Sequence, residues 1–422
     1  MNPTLNGRSR SLLLSRSLVA SLVGLAATCA IAVACSSSDG PLAPADAAPI
    51  APQDAQLPSS DAADAEDAAD TARPDARDAM VGDAAPRECS AQGFCPTALP
   101  PDQKLSGVWG DGTGSVWAIS ETGRVLRWDG RAWALHVTLP GEPALLKIWG
   151  SGPTDVWILG AQGLLHGTGA SSSSLVFAPV DAPGDPTIPL TALWGTGPQD
   201  VWAAGGTRGK SYPYPATGRL VHLTSEGWQV VPDVPTDVAF RHVWGTPAAG
   251  TWVEGMVAAD TGGRAAARVL RLAAGSSTWE VQTLPPDPGV SPASSGIPGE
   301  LTAAAMGSAT SMWLVGQSAG GALGYWHGTS ADAGRTFTWA FLPRPIWDLP
   351  LGAVWGTAPN DVWAAGDYGR LRHWDGTTWT QAALMVTSAP IVRRFSGLWG
   401  ATSADFWIVG DDIAIRRTPG KP

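Results

Sequence analysis

The chain has 422 residues, 22 of them Trp, with 15 % charged side chains and a formal net charge of −10. Residues 1–35 carry +3, residues 36–88 carry −9 and residues 89–422 carry −4. No segment has the basic surface that a nucleic-acid binder needs, and Gly and Pro recur too often for long helices.

Arg8, Arg10 and Arg16 precede an apolar stretch, residues 18–33, that is short for a membrane span. It runs into Ala32-Val33-Ala34-Cys35, which resembles the bacterial lipobox. There a small residue precedes a Cys that is acylated and becomes the new N-terminus. Cys29 fits less well, because the bulkier Thr28 precedes it. Ser36 stands where an inner-membrane retention Asp would sit. The resemblance therefore implies an outer-membrane lipoprotein held in the bilayer through Cys35. Residues 36–88 hold 12 acidic and 3 basic side chains and show no apolar periodicity. Such a segment cannot offset its ordering entropy, so it is expected to be a disordered tether. As a flexible coil it would reach about 40 Å. Cys89 and Cys95 are the remaining cysteines, and export makes a disulfide between them the expected state. No His lies near them to suggest a metal, and no motif calls for a cofactor.

Residues 89–422 repeat one unit seven times. Its first anchor is Trp-Gly at Trp109, Trp149, Trp194, Trp244, Trp355 and Trp399, with Met306-Gly307 standing in once. A second Trp follows at Trp117, Trp157, Trp202, Trp252, Trp313, Trp363 and Trp407. Three residues on stands Gly160, Gly205, Gly255, Gly316, Gly366 or Gly410, with Ser120 in the first unit. A short apolar run and a last aromatic complete the unit, and only Trp347 lies off this grid. Each unit reads as four short strands. The turn between the first two often ends in Asp, at Asp155, Asp200, Asp361 and Asp405, where the side chain is expected to bond nearby backbone N–H groups. The Gly after the second strand is expected to supply a positive φ. Four strands per unit, seven units and no sustained helical period predict an all-β, seven-bladed propeller. Blades packed on both faces would account for the indoles, each worth about 4–6 kcal/mol in buried area.

The residue two before the first Trp is small in five units, which suits an innermost strand. Lys147 and His242 depart from this and are expected to line the channel. The last unit stops after its third strand. Residues 94–99 resemble fourth strands elsewhere, so they are expected to pair with residues 413–417 and close the ring, pinned by the Cys89–Cys95 loop.

Ser330, Asp332, Gly334, Thr336 and Phe337 match the Asp-box, and Trp128-Asp129-Gly130 and Trp374-Asp375-Gly376 look like shortened forms of it. The repeat thus resembles BNR-type propellers, and its spacing is similar to tectonin repeats and to repeat-rich propeller lipoproteins of Gram-negative bacteria. In that family the box is a structural turn, so nothing catalytic follows from Asp332. Sialidase chemistry would need three substrate-binding Arg and a Tyr–Glu pair. With four Tyr and no visible Arg cluster, that reading is not favoured. The GQSAG stretch, residues 316–320, shares its first Gly with the repeat and lacks the following helix of a nucleophile elbow. His166, His222 and His373 share one repeated position on the third strand. They read as structural, or as points on an outer surface, and not as one metal site.

The irregularities share a rim. In a four-stranded blade the second-to-third and fourth-to-first connections lie at the same end, called here the upper rim. Residues 206–218 enlarge a hairpin there and carry Arg208, Lys210, Tyr212 and Tyr214. Residues 285–300 and 343–350 enlarge two crossings, the second bearing Trp347. Loop aromatics beside cations suit stacking on a glycan or peptide. The sequence therefore predicts a monomeric binding module for an envelope or extracellular protein or a glycan, with no nucleic acid. A carbohydrate hydrolase or lyase, and an assembly factor for an envelope complex, are the alternatives.

Overall fold

The computed structural model describes residues 89–259, 266–289, 298–345, 348–386 and 390–418. The expectations on Cys35, the signal and the tether fall on residues 1–88, outside the described residues. The rest forms a seven-bladed β-propeller of four-stranded antiparallel sheets. In each blade the first strand lies innermost, against the first strands of the neighbouring blades. Burial is deepest in the second strand, as in Val116–Ser120 and Asp361–Gly366, and falls off in the outer strand, as in Val176–Val180. Apolar bulk on both faces is thus a property of the second strand and not of all four.

Every innermost strand carries a β-bulge near its start, for instance between Leu105 and Gly107 and between Phe395 and Gly397. The bulge pushes backbone toward the second strand just where the repeated Gly stands. A Cβ on Gly205, Gly366 or Gly410 would overlap the carbonyl oxygen of Pro189, Pro350 or Arg394. None of these glycines has a positive φ. The sequence-based reading of a turn glycine is therefore corrected: the position is bare because two backbones approach there.

The Trp-Gly pair has a similar cause. A Cβ on Gly110 would lie 2.5 Å from the Trp399 ring of the preceding blade, and one on Gly150 would lie 2.6 Å from Trp109. Gly195 faces Trp149 and Gly245 faces Trp194 in the same way. At these four seams the first Trp lies over the next blade's glycine and seals the join between them.

The second Trp sits opposite one third-strand residue in all seven registers: Arg127, His166, His222, Arg271, His327, His373 and Arg416. Four of these are imidazoles stacked on the indole, with centroids 3.7–4.1 Å apart. The turn aspartates reach these side chains and not the backbone of their own turn, which corrects the sequence-based expectation. Asp200 accepts from His222 at 2.7 Å and from the Trp202 indole at 2.8 Å, and Asp361 makes the same pair of bonds to His373 and Trp363. Asp405 takes Arg416 in bidentate fashion. The hydrogen bond from His222 outweighs partial burial and holds the Asp200 carboxyl below its usual pKa. His166, His222 and His373 are therefore structural stays at the lower rim. His327 faces Ser311 and no acid, and burial depresses its pKa to about 4.

Phe94–Pro96 forms the outer strand of blade seven, paired with Ile413–Arg417. The pairing is three residues long, shorter than the predicted 94–99. The chain then crosses to blade one, where the Trp133 indole donates to Thr97 Oγ1. Phe94 is buried between Trp363 and Phe406. Cys89 and Cys95 are bonded, closing a small loop beside this strand. On the chain-entropy relation such a link contributes about 2 kcal/mol. Reduction is expected to speed amide exchange in Phe94–Pro96 and Ile413–Arg417 before other strands respond. Equal exchange in both redox states would show that the bond does not secure closure.

Candidate functional site

The hairpin of blade three leaves the sheet at Arg208 and returns at Ala216. It is tied down by Gly209 N–H to Pro215 O at 2.8 Å and by Ala259 N–H to Pro213 O at 2.7 Å. Tyr214 takes a left-handed φ of 57°, held by its N–H to Ser211 O. This turns its ring under Arg208, whose guanidinium lies 4.9 Å from the ring centroid. Tyr212 packs edge-on to Tyr214 and remains 55 % exposed, and Lys210 is exposed at the tip. Arg208, Lys210, Tyr212 and Tyr214 thus form one patch. Trp347 lies outside the described residues, as do residues 290–297 of the first enlarged crossing.

Inward of this patch is the channel mouth. Arg208 lines a depression with Arg241, His242 and Glu300. Lys147 lines a second with Glu121, Asp367 and Arg394. Arg241 pairs with Glu300 across the seam between blades four and five, and Arg394 pairs with Glu121 across the seam between blades seven and one. Hydroxyls at the bulges make other seams: Ser106 donates to Leu145 O and Thr302 to Leu351 O, both at 2.6 Å. The mouth is a ring of polar ties on an apolar frame.

A cluster that the sequence reading missed lies between blades five and six. Asp348 is fully buried and meets Arg344 at 3.0 Å, Arg372 at 2.7 Å and Arg370 at 3.4 Å. Arg344 is itself buried and stacks on Tyr325, whose pKa burial pushes up to about 12. The expectation of no Arg cluster is therefore corrected. These guanidiniums converge on a protein carboxylate and staple the crossing that carries Asp348. Only the first lies near Asp348 in sequence, so spacing could not reveal the group.

On the lower rim, Asp332 accepts from the Thr336 backbone N–H at 2.8 Å and from its hydroxyl at 2.7 Å, while the Ser330 hydroxyl donates to the same carboxylate. These bonds hold its pKa well below the carboxylate range. Gly334 takes a φ of 90°. Phe337 packs on Trp252 of the neighbouring blade. Asp129 and Asp375 make shorter turns of the same kind. All three turns lie at the opposite end from the tyrosine patch. Ser318, in the GQSAG stretch, is buried on a strand.

No family model matches the chain, and no curated protein matches it significantly. Solved structures do. YCF48 bound to D1 peptide is 16 % identical, with a TM-score of 0.52 over 77 % of this chain and 97 % of that one. A catalytically inactive virginiamycin B lyase from Staphylococcus aureus with quinupristin is 13 % identical, with a TM-score of 0.52 over 76 % of this chain and 97 % of that one. The extracellular domain of the putative hybrid two component system BT4673 from B. thetaiotaomicron is 14 % identical, with a TM-score of 0.52 over 77 % of this chain and 39 % of that one. At these identities the likeness is one of fold.

Proposed function

We propose that the protein is a non-enzymatic binding propeller of the cell envelope, tethered to the outer membrane through acylated Cys35, that grips a protein segment by its upper rim. One observation carries the reading. Among the described residues eight large apolar side chains are strongly exposed. Leu135, Val176, Val230 and Val281 lie on outer strands, where a blade edge meets solvent. The other four, Tyr212, Tyr368, Met385 and Val392, all lie on upper-rim connections and none on the lower rim. Apolar side chains gathered at one end, with Arg208 and Lys210 beside them, suit a partner that brings both apolar and acidic groups. YCF48, a fold neighbour, is described with a bound peptide. A glycan stacked on the tyrosines is the second form of the same reading.

The alternative of a carbohydrate hydrolase or lyase is less well supported. It needs a carboxylate at liberty near the ligand. At the mouth Glu300 and Glu121 are each engaged by an Arg, which leaves Asp367 as a single carboxylate without an ion pair among the described mouth residues, where glycoside hydrolysis calls for two. A role as assembly factor for an envelope complex would use the same protein contacts. Peptide and glycan arrays probed with the protein should yield ligands that Tyr212→Ala with Tyr368→Ala no longer binds. Both rings are exposed, so melting should stay within about 0.5 kcal/mol of the parent. Undiminished binding by the double variant would refute the rim assignment.

A further inference from the structure

We propose that the central channel holds a binding site for a carboxylate, formed by Lys147 and His242. The argument starts from two coordinated departures from the repeat. At the innermost position that faces the channel, five blades carry Gly or Ala, and blades two and four carry Lys147 and His242. At the second-strand position just before the repeated Gly or Ser, six blades carry Ile119, Leu159, Ala204, Val315, Ala365 and Val409. Blade four carries Glu254 there, and in register Glu254 stands opposite His242. A buried carboxylate is costly where the same fold accepts an aliphatic residue six times over. Departures of this kind mark sites kept for something other than stability.

The geometry shows what Glu254 does. It is fully buried, and its Oε2 meets His242 Nδ1 at 2.7 Å, while Oε1 has no partner among the described residues. Its one bond fixes the imidazole and leaves Nε2 without a hydrogen-bond partner among the described residues. His242 and Lys147 line the same cavity of about 170 Å³, together with Ser106, Thr302 and Ser396. That is room for a carboxylate and a few waters. The Lys147 ammonium makes no ion pair or hydrogen bond among the described residues. Its side chain is exposed to the water of the channel, and the surrounding channel walls lower its pKa below the usual lysine value by desolvation. A channel-facing cation without an ion pair among the described residues and an oriented imidazole face one space. A carboxylate that binds together with a proton on Nε2 satisfies both, with Glu254 balancing the imidazolium so formed.

The cavity does not end at the channel. His242 also lines the depression that holds Arg208, Arg241 and Glu300 below the tyrosine patch. Arg241 is paired with Glu300, but the buried Nε of Arg208 has no hydrogen-bond partner. A free dicarboxylate could enter from this side, and so could an acidic side chain or chain terminus of a segment held on the rim. The second source rests on the rim reading above, whereas the site itself does not.

Succinate is the probe, and the ring signals of ¹³C-labelled histidine are the readout. The protein has six histidines, so His242→Gln assigns the one that matters. The His242 signal is expected to shift saturably with succinate and not with the uncharged succinamide. Lys147→Gln should weaken the affinity at least about tenfold, the loss expected of one charge-assisted hydrogen bond. Glu254→Leu restores the residue type of the other blades, so it should fold as well as the parent and still lose affinity by a similar factor. No shift with succinate up to about 50 mM, weaker than any millimolar site, would overturn the proposal. So would equal affinity in the Lys147→Gln protein. Displacement of a rim-bound peptide by succinate would place that peptide's carboxylate in the site. Succinate binding without displacement would identify a free solute as the occupant.

Discussion

Asp348→Ala should cost about 3–5 kcal/mol of folding free energy, the usual consequence of leaving a buried charge uncompensated. Asp348 and Arg344 are almost wholly shielded from water, and their bonds at 3.0 and 3.1 Å come from two nitrogens of one guanidinium. Arg372 adds a third at 2.7 Å. Without the carboxylate, three cations from two blades face one another across the seam. The pH profile should change as well. Burial alone would raise the Asp348 pKa, but the hydrogen bond from Arg372 and the charges of Arg344 and Arg372 outweigh it and hold the carboxyl below its usual value. A folded pKa below the unfolded one stabilises the protein at pH values above about 4 and loses that contribution as pH falls through the folded pKa. His327 acts in a higher window. Its folded pKa of about 4 lies below the unfolded value of 6.5. The unfolded chain therefore binds the proton first, and stability declines from about pH 6.5 downward. Denaturant midpoints from pH 7 to 2 should show both declines in the parent and a shallower lower one in Asp348→Ala, where lowered carboxyls such as Asp200 and Asp332 still contribute. Matching midpoints in the two proteins at pH 7 would show that the cluster is not the staple described.

Trp202→Ala should cost about 3–5 kcal/mol, as large aromatic truncations in packed cores do. Trp202 is 4 % exposed, stacks on His222 at 3.7 Å and meets Trp279 of blade four edge-on. Its removal would open a cavity at a seam between blades. It would also take the platform from His222 and a donor from Asp200. An unchanged melting midpoint would mean that the seam does not depend on the indole.

The ring was legible because its seams are marked twice. Trp399 over Gly110 and Trp109 over Gly150 show why Trp and Gly travel together, and the second Trp, present in all seven units, sets the blade count. The meaning of Gly205 and Gly366 was not legible. A glycine after a strand serves a left-handed turn or a close backbone approach equally well, and only the bulge on the facing strand decides between them. The aspartates misled for a related reason. Asp200 looks outward from a turn in sequence, but its partner His222 reaches it through strand register. Lys147 and His242 stand out in sequence against small residues in the other units, whereas Glu254 gains its meaning from the strand register that sets it opposite His242. Arg344, Arg370, Arg372 and Asp348 could not be grouped at all, because two blades must be adjacent before they meet.

The assignment of recognition to one end of the propeller can be tested in living cells with a photoreactive phenylalanine analogue. It would be placed in the full chain at Tyr212 or Tyr368 on the upper rim, and at Arg131 or Thr377 on the lower. The account predicts a discrete cross-linked partner from the first pair of positions and none from the second. A partner captured from the lower-rim positions alone would contradict it.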